Sequence, residues 1–427
     1  MTEKYSKRIA DRILAERLEG AGAVLVEGAK WCGKTTTCEQ IAKSVLYMGD
    51  PDSRKRNLQL AEINVSQLLN GDEPRLIDEW QEYPRFWDAV RFRVDHSKGF
   101  GHFILTGSSV PPDKADISHT GTGRISRMTM RPMTLWESGD SSGNVSLSEL
   151  LGGGELPAGE CMGLGLERVA FLICRGGWPQ TIRQREKIAL MRAFDYYGDV
   201  VNSDISRVDK VPREPDRVMR LMRSYARLQG TQANMTAIRL DMKEHDKRTL
   251  DEDTIYSYVN ALKKIFVVEN MPAWSPNLMS KTVVRTSDTR YFSDPSVAAA
   301  ALGFGPGDLM NDLRSFGRLF EVLAVRDLRV YADASFGSVC HYLDKSGLEC
   351  DAIVHLRNGT YGLVEIKLGG ETLVNEGAST LNALARIVDT TKMKAPSFKM
   401  VLTAVGDVVY RRKEDGVIVC PISALRP

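Results

Sequence analysis

Gly28-Ala29-Lys30-Trp31-Cys32-Gly33-Lys34-Thr35 spells G-x-x-x-x-G-K-[ST], directly after the apolar run Ala23-Val24-Leu25-Val26 and directly before Thr36-Thr37-Cys38-Glu39-Gln40-Ile41-Ala42. That context decides the fold of the first third of the chain. A buried strand delivers the backbone to a tight turn, and the turn's N–H groups wrap a phosphate. The following helix points its positive end at the same charge. Gly28, Ala29, Lys30, Trp31, Cys32, Gly33, Lys34, Thr35 and Thr36 are therefore the candidate nucleotide contacts. Lys34 would reach the β- and γ-phosphates of ATP, and the Thr35 hydroxyl would ligate Mg²⁺.

Outward from this loop, strand and helix signals alternate. Residues 23–27 read as a strand, 34–44 as a helix, and Arg75-Leu76-Ile77-Asp78 as a second strand. A helix over Pro84–Val94 precedes strands at His102–Thr106 and Arg127–Met130. Such alternation predicts a parallel sheet covered by helices. Ser138–Gly165, with Gly152-Gly153-Gly154 at its middle, reads as a loop or linker closing the first domain.

A phosphate loop alone binds; hydrolysis needs more. Leu76-Ile77-Asp78-Glu79 ends an apolar strand in two adjacent carboxylates. Asp78 would hold Mg²⁺ through its water shell, and Glu79, turned the other way, would polarise the attacking water. The next strand ends Leu105-Thr106-Gly107-Ser108-Ser109, where Ser108 is a candidate for positioning that water. Arg124, in Gly121-Thr122-Gly123-Arg124, is a candidate charge stabiliser within one subunit or across an interface; a structural ion pair is its alternative reading.

From Leu166 to Leu302 the pattern turns helical, as in Ala189–Val200, Pro215–Leu228 and Asp253–Val267. Thr249-Leu250-Asp251-Glu252 carries capping signals, and Phe266-Val267-Val268-Glu269 is strand-like, so the region resembles a winged helix-turn-helix. Arg217, Arg220, Arg223 and Arg227 share one helix, where they would either touch phosphates or form a solvated face. The last part reads helix Leu313–Asp327, strands at Ser338–Leu343, Cys350–Leu356 and Gly362–Lys367, a helix over 376–391 and a strand at Lys399–Leu402. The expected division is 1–160, 161–305 and 306–427.

These features together resemble the bacterial and archaeal AAA-type ATPases that carry a C-terminal DUF4143 region. The resemblance rests on Gly28–Thr36, Ile77–Pro84, Leu105–Ser109, Gly123-Arg124 and Pro132-Met133-Thr134-Leu135-Trp136-Glu137. Gly176-Gly177-Trp178-Pro179 and Phe292-Ser293-Asp294-Pro295 extend it. It implies an N-terminal AAA-type parallel sheet, a winged-helix-like middle and a restriction-endonuclease-like α/β domain at the C-terminus.

The C-terminal residues carry a pattern of their own. Asp351 opens one strand, Glu365-Ile366-Lys367 ends the next, and Glu321 lies on the preceding helix. An acid followed by E-x-K is the pattern of metal-dependent nucleases. Alternation puts Glu365 and Lys367 on one face of their strand. Asp351 and Glu365 would share Mg²⁺, Lys367 would orient water, and Glu321 would add a ligand. A nuclease-like domain kept as a docking platform is the alternative.

Bulk properties set outer bounds. The chain has 427 residues, 43% hydrophobic and 26% charged, with a net charge of +2, as an ordinary globular protein of two or three domains does. Its seven cysteines include no C-x-x-C pair, which fits a reducing compartment, and the six histidines show no metal-ligand spacing. The charged start and the lack of a long apolar run predict a cytoplasmic protein with no membrane partner. The expected function is ATP binding and hydrolysis that controls a nuclease-like domain. Alternatives are an ATP-gated DNA nuclease and a non-enzymatic switch, with DNA, a protein partner or self-association as candidate interactions.

Overall fold

The computed structural model describes residues 5–108, 120–275 and 287–427. The chain divides into two compact units. One comprises Met1–Pro132, Ser203–Arg213 and Asn260–Val267; the other comprises Met133–Asn202, Glu214–Val259 and Val268–Pro427. The helical middle and the C-terminal sheet thus fall largely in one unit, whereas three segments were expected.

The first unit is built on strands β1 (Ala23–Glu27), β2 (Ser44–Tyr47), β3 (Arg75–Asp78), β4 (Phe103–Gly107) and β5 (Ile125–Thr129). They form one parallel sheet in the order β2-β3-β4-β1-β5. Val24, Leu25, Leu76, Ile77, Ile104 and Leu105 are all buried, so both sheet faces are covered. Each such side chain contributes on the order of 2 kcal/mol by burial. Leu25, Ile77 and Leu105 pack in one cluster with Trp80, Phe86, Trp87 and Val90.

Two elements here escape the sequence pattern. The helix after the phosphate loop ends at Glu39, and the short edge strand β2 follows it. Helix Arg54–Leu68 is mostly polar and is broken by extended backbone at Asn64, which blurs its period.

The second unit holds β6 (Val145–Ser146), β7 (Gly159–Leu164), β8 (Val268–Met271), β9 (Thr289–Phe292), β10 (Gly337–Leu343), β11 (Glu349–Leu356) and β12 (Tyr361–Lys367). It continues with β13 (Phe398–Thr403), β14 (Gly406–Arg411), β15 (Ile418–Pro421) and β16 (Leu425–Arg426). Seven of them form a mixed sheet in the order β10-β11-β12-β13-β15-β14-β7. Strands β10, β11 and β12 are antiparallel, and β12, β13 and β15 run parallel. Helices Leu313–Asp333 and Glu371–Ile387 pack on this sheet.

Residues 138–165 are more ordered than a linker. They contain β6, the helix Leu147–Leu151 with Leu147, Leu150 and Leu151 buried, and the edge strand β7. High glycine content hid these short elements. Helices Pro215–Arg227, Met235–Asp246 and Glu252–Lys264 precede the antiparallel pair β8–β9. The arginine stripe does not form a free basic face. Arg227 Nη2 meets Asp241 at 2.6 Å, Arg223 meets Asp246 at 3.3 Å and Arg217 meets Glu214 at 2.9 Å.

Three of the sequence landmarks converge on one buried polar knot. Arg326, 2% exposed, donates to Asp294 at 2.9 Å and to Asp327 at 2.8 Å. Gly177 N–H donates to Asp294 at 3.0 Å, and Leu135 N–H donates to Asp327 at 2.9 Å. A Cβ on Gly177 would stand 2.2 Å from the Met133 carbonyl oxygen, so glycine is required by close approach. These landmarks hold the unit together.

Candidate functional site

Strand β1 ends at Glu27, and the chain turns at once. Gly28 has φ +155°, and a Cβ there would lie 2.1 Å from the Met130 carbonyl oxygen. Trp31 (φ 70°) and Gly33 (φ 97°) take left-handed backbone, winding Gly28–Thr35 into a closed loop. For Trp31 that conformation costs on the order of 1 kcal/mol or more. The buried Arg8 braces the loop from outside, its guanidinium donating to the Cys32 carbonyl at 2.7 Å and the Arg131 carbonyl at 2.9 Å.

Inside the loop, Lys34 is 7% exposed, and its Nζ donates to the carbonyls of Gly28 at 2.9 Å and Ala29 at 2.8 Å. Lys30 turns away and pairs with Asp204 at 2.6 Å. Trp31 and Thr35 are half-buried, Thr36 is exposed, and Cys32 is buried with its thiol 3.4 Å from the Met130 carbonyl oxygen.

Sheet order sets what stands beside the loop. Strand β4 lies between β1 and β3, pairing Glu27 with Gly107 and Asp78 with Thr106. Asp78 Oδ1 accepts from the Thr35 hydroxyl at 2.7 Å and from the Thr106 hydroxyl at 2.6 Å. A hydroxyl and a carboxylate from separate motifs thus converge as hard oxygen donors, the set Mg²⁺ prefers when phosphate and water complete its shell. Thr106 is a site residue the sequence reading passed over in favour of Ser108; its register opposite Asp78 is the signal that finds it.

Glu79 leaves the strand in left-handed backbone (φ 57°, ψ 46°), which directs its side chain away from that of Asp78. Its Oε2 accepts from the Gln81 amide and lies 3.4 Å from the Ser108 hydroxyl. Ser109 lies outside the described residues.

Arg124 corrects the expectation within one chain. It precedes β5, whose first residue Ile125 pairs with Ala23, the first residue of β1. Its carbonyl accepts from Ala23 N–H at 3.1 Å, and its guanidinium binds Asp95 at 2.7 Å and the Thr122 carbonyl at 3.1 Å. The loop leaves the opposite edge of the sheet, roughly 16 Å away at the usual rise per strand residue. In a parallel sheet the residues before a strand lie at the end opposite the turns that follow strands, which keeps Arg124 away from the phosphate loop.

The C-terminal candidates meet in the second unit. Cys340 pairs with Ile353 and Tyr342 with Cys350, so β11 bulges at Asp351 and Ala352. The ladder to β12 stops at Ala352, and the Asp351 carboxylate itself takes the Ile366 N–H at 2.7 Å. Such a bulge re-aims a side chain at a strand end. Lys367 Nζ lies 2.6 Å from Glu365 Oε2 and 3.3 Å from Asp351 Oδ2. Glu321 accepts from the buried Tyr291 hydroxyl at 2.5 Å.

Burial, then the charge of Asp351, pushes Glu321 up to about 8 and Glu365 well above the usual carboxylate range. Burial alone would lower Lys367, but Asp351 and Glu365 hold it above its ordinary value, so the ammonium stays charged. Lys367 fills the space between the two carboxylates. Among the described residues no group of three or more His, Cys, Asp or Glu is arranged to hold a metal ion. Asp351, Glu365 and Lys367 come together as the pattern expects, with the lysine ammonium paired to both acids.

The five-stranded parallel sheet and its glycine-bounded loop give the first unit a P-loop ATPase fold. Residues 21–138 match the family model described as "AAA domain". Residues 166–308 match a second model, "Domain of unknown function (DUF8612)", where the resemblance had led to DUF4143 beyond it. No curated protein sequence matches the chain.

Among solved structures, the Walker-type ATPase of Pyrococcus abyssi is similar at 14% identity and TM-score 0.42, over 70% of this chain and 97% of that one. The replication initiator DnaA bound to AMPPCP and single-stranded DNA is similar at 14% identity and TM-score 0.29, over 62% and 90%. A STAND protein with a tetratricopeptide repeat sensor from Pyrococcus horikoshii gives 12% identity and TM-score 0.20, over 76% and 48%. No helix of the described residues is long and apolar enough to cross a membrane.

Proposed function

We propose that the chain binds ATP with Mg²⁺ at Gly28–Thr36 and hydrolyses it. The observation that carries this reading is Asp78 Oδ1 taking the hydroxyls of both Thr35 and Thr106. Thr35, and Asp78 through water, would hold Mg²⁺, which would supply neutralisation of phosphate charge. Lys34 binds the terminal phosphates in exchange for the carbonyls of Gly28 and Ala29. Glu79 takes a proton from the attacking water, with Ser108 and Gln81 orienting its carboxylate. Replacing Lys34 by Ala should abolish nucleotide binding measured by calorimetry and release of phosphate from ATP. Wild-type protein that neither binds nor hydrolyses ATP would sink the proposal.

The output of the cycle is proposed to be the second unit, with the Asp351–Glu365–Lys367 cluster as its site. The bulge that re-aims Asp351 supports a functional cluster. DNA cleavage that needs Mg²⁺ and is lost in Asp351→Ala would establish the ATP-gated nuclease instead. ATP turnover raised by DNA without cleavage would favour a DNA-dependent switch.

A further inference from the structure

Lys30 is the second cation of the phosphate loop, and its partner lies far along the chain. Its Nζ meets Asp204 Oδ1 at 2.6 Å, with the lysine half-exposed and Asp204 9% exposed. Both residues belong to the first unit, which includes Ser203–Arg213 although the chain on either side of that segment lies in the second. Among the described residues the Asp204 carboxylate has no other partner.

The loop fixes where Lys30 stands. Lys34, which the ATP reading puts on the terminal phosphates, rests its ammonium on the carbonyls of Gly28 and Ala29. Lys30 follows Ala29 directly, so its backbone borders the place the terminal phosphates take when they replace those carbonyls. Its four-carbon stem is long and flexible enough to serve Asp204 or a phosphate there.

The segment that carries Asp204 is closed on itself. The chain enters it through one π-helical turn, Val200–Asp204, between helices Glu186–Asp199 and Ile205–Arg207. Such turns interrupt the helical ladder and are frequent at functional sites. Ile205 and Val208 are buried, and Arg213 donates to the Ile205 carbonyl at 2.6 Å and pairs with Asp209 at 2.7 Å. The Lys30–Asp204 pair ties this segment to the phosphate loop.

An ion pair with a half-exposed ammonium contributes little, so it is readily exchanged. A γ-phosphate offers that ammonium more negative charge than a carboxylate does, and ADP has none to offer. Once Lys30 leaves, Asp204 is a buried carboxylate without a counter-charge beside an added anion, which favours release of its segment. A ligand shifts such an equilibrium only by its differential contacts with the two states, and the γ-phosphate supplies that difference.

We propose that Lys30 reads the γ-phosphate. With ADP it stays on Asp204 and holds Ser203–Arg213 to the loop; with ATP it moves to the γ-phosphate and frees that segment. The inference rests on the ATP reading of the loop and names the pair that tells ATP from ADP there.

The test titrates the full-length chain with ADP and with a non-hydrolysable ATP analogue, each with Mg²⁺, by calorimetry. Hydrogen exchange of amides 203–213 should run about tenfold faster with the analogue than with ADP. Asp204→Asn, which frees Lys30, should tighten the analogue about fivefold and leave ADP within about twofold. Lys30→Met should weaken the analogue about fivefold, leave ADP within about twofold, and remove the difference in exchange between the two complexes.

Equal changes for both nucleotides, or a lower melting temperature with the ratio of the two affinities unchanged, would make the pair structural and overturn the inference. Equal exchange at 203–213 in two saturated wild-type complexes would also overturn it. Wild-type protein that binds neither nucleotide overturns the ATP reading of the loop, and this inference with it.

Discussion

At the end of β3, Asp78 takes two uncharged hydroxyls, from Thr35 and Thr106. At the bulge in β11, Asp351 takes a backbone N–H and an ammonium, from Ile366 and Lys367. Both are strand-end aspartates, yet their partners differ in what they commit. Hydroxyls can turn and donate elsewhere when a cation arrives, so Asp78 is free to change role. Without Asp351 the Ile366 N–H would lose its acceptor, and Lys367 would keep only Glu365. Asp351 is therefore tied to its neighbours more firmly than Asp78 is.

The largest expected effect tests the first half of that contrast. Glu79→Gln should lower the ATP turnover rate about 10²–10⁴-fold, the usual worth of a general base, with nucleotide affinity close to wild type. Phosphate release and calorimetry measure the two separately. Turnover within threefold of wild type would remove Glu79 from the reaction.

The second half predicts a loss of stability. Asp351→Ala should destabilise the second unit by about 2 kcal/mol, because it leaves the Ile366 N–H without its acceptor, while Lys367 keeps Glu365. Asp78→Ala should cost about 1 kcal/mol or less, since both hydroxyls can rotate to other acceptors. Urea unfolding of the two variants gives the comparison directly. Equal losses would mean that the two aspartates are tied in equally.

This contrast also explains what the sequence made legible. The phosphate loop, Asp78 and Glu79 are contiguous motifs whose neighbours on the strand fix their direction, so their placement follows from alternation and turn chemistry. Thr106 depends on β4 lying between β1 and β3, an order the sequence does not state. The acids and the lysine of the second unit follow from pattern and alternation, but the bulge that aims Asp351 arises from register. Gly176-Gly177-Trp178-Pro179 and Phe292-Ser293-Asp294-Pro295 stood out as landmarks; only the buried Arg326 shows that they hold the unit together.

A smaller effect concerns pH. Glu321 in the folded chain holds its proton up to about 8, where the usual value is 4.5, because it is buried beside Asp351. Between those values the folded state binds more protons than the unfolded one, so stability falls as pH rises through that window. Glu321→Gln should flatten this slope, leaving the variant more stable than wild type at pH 8 by on the order of 1 kcal/mol. Melting temperatures taken from pH 5 to pH 8 in the presence of a chelator give the slope. A slope unchanged in the variant would assign the titration to another group.

The smallest effect separates the two edges of the first sheet. Arg124 pairs with Asp95 at the surface, and its guanidinium is 49% exposed, so Arg124→Ala should change stability by less than about 1 kcal/mol. Because it stands at the edge opposite the phosphate loop, turnover by a single chain should stay within twofold of wild type. The measurement is phosphate release over a range of protein concentrations. A tenfold loss that appears only at high concentration would mean that Arg124 reaches the phosphates of a second copy, and the comparison would then shift from strand ends within one chain to surfaces shared between two. A loss independent of concentration would contradict the placement of Arg124 itself, because no rearrangement short of reordering β5 brings that edge to Lys34.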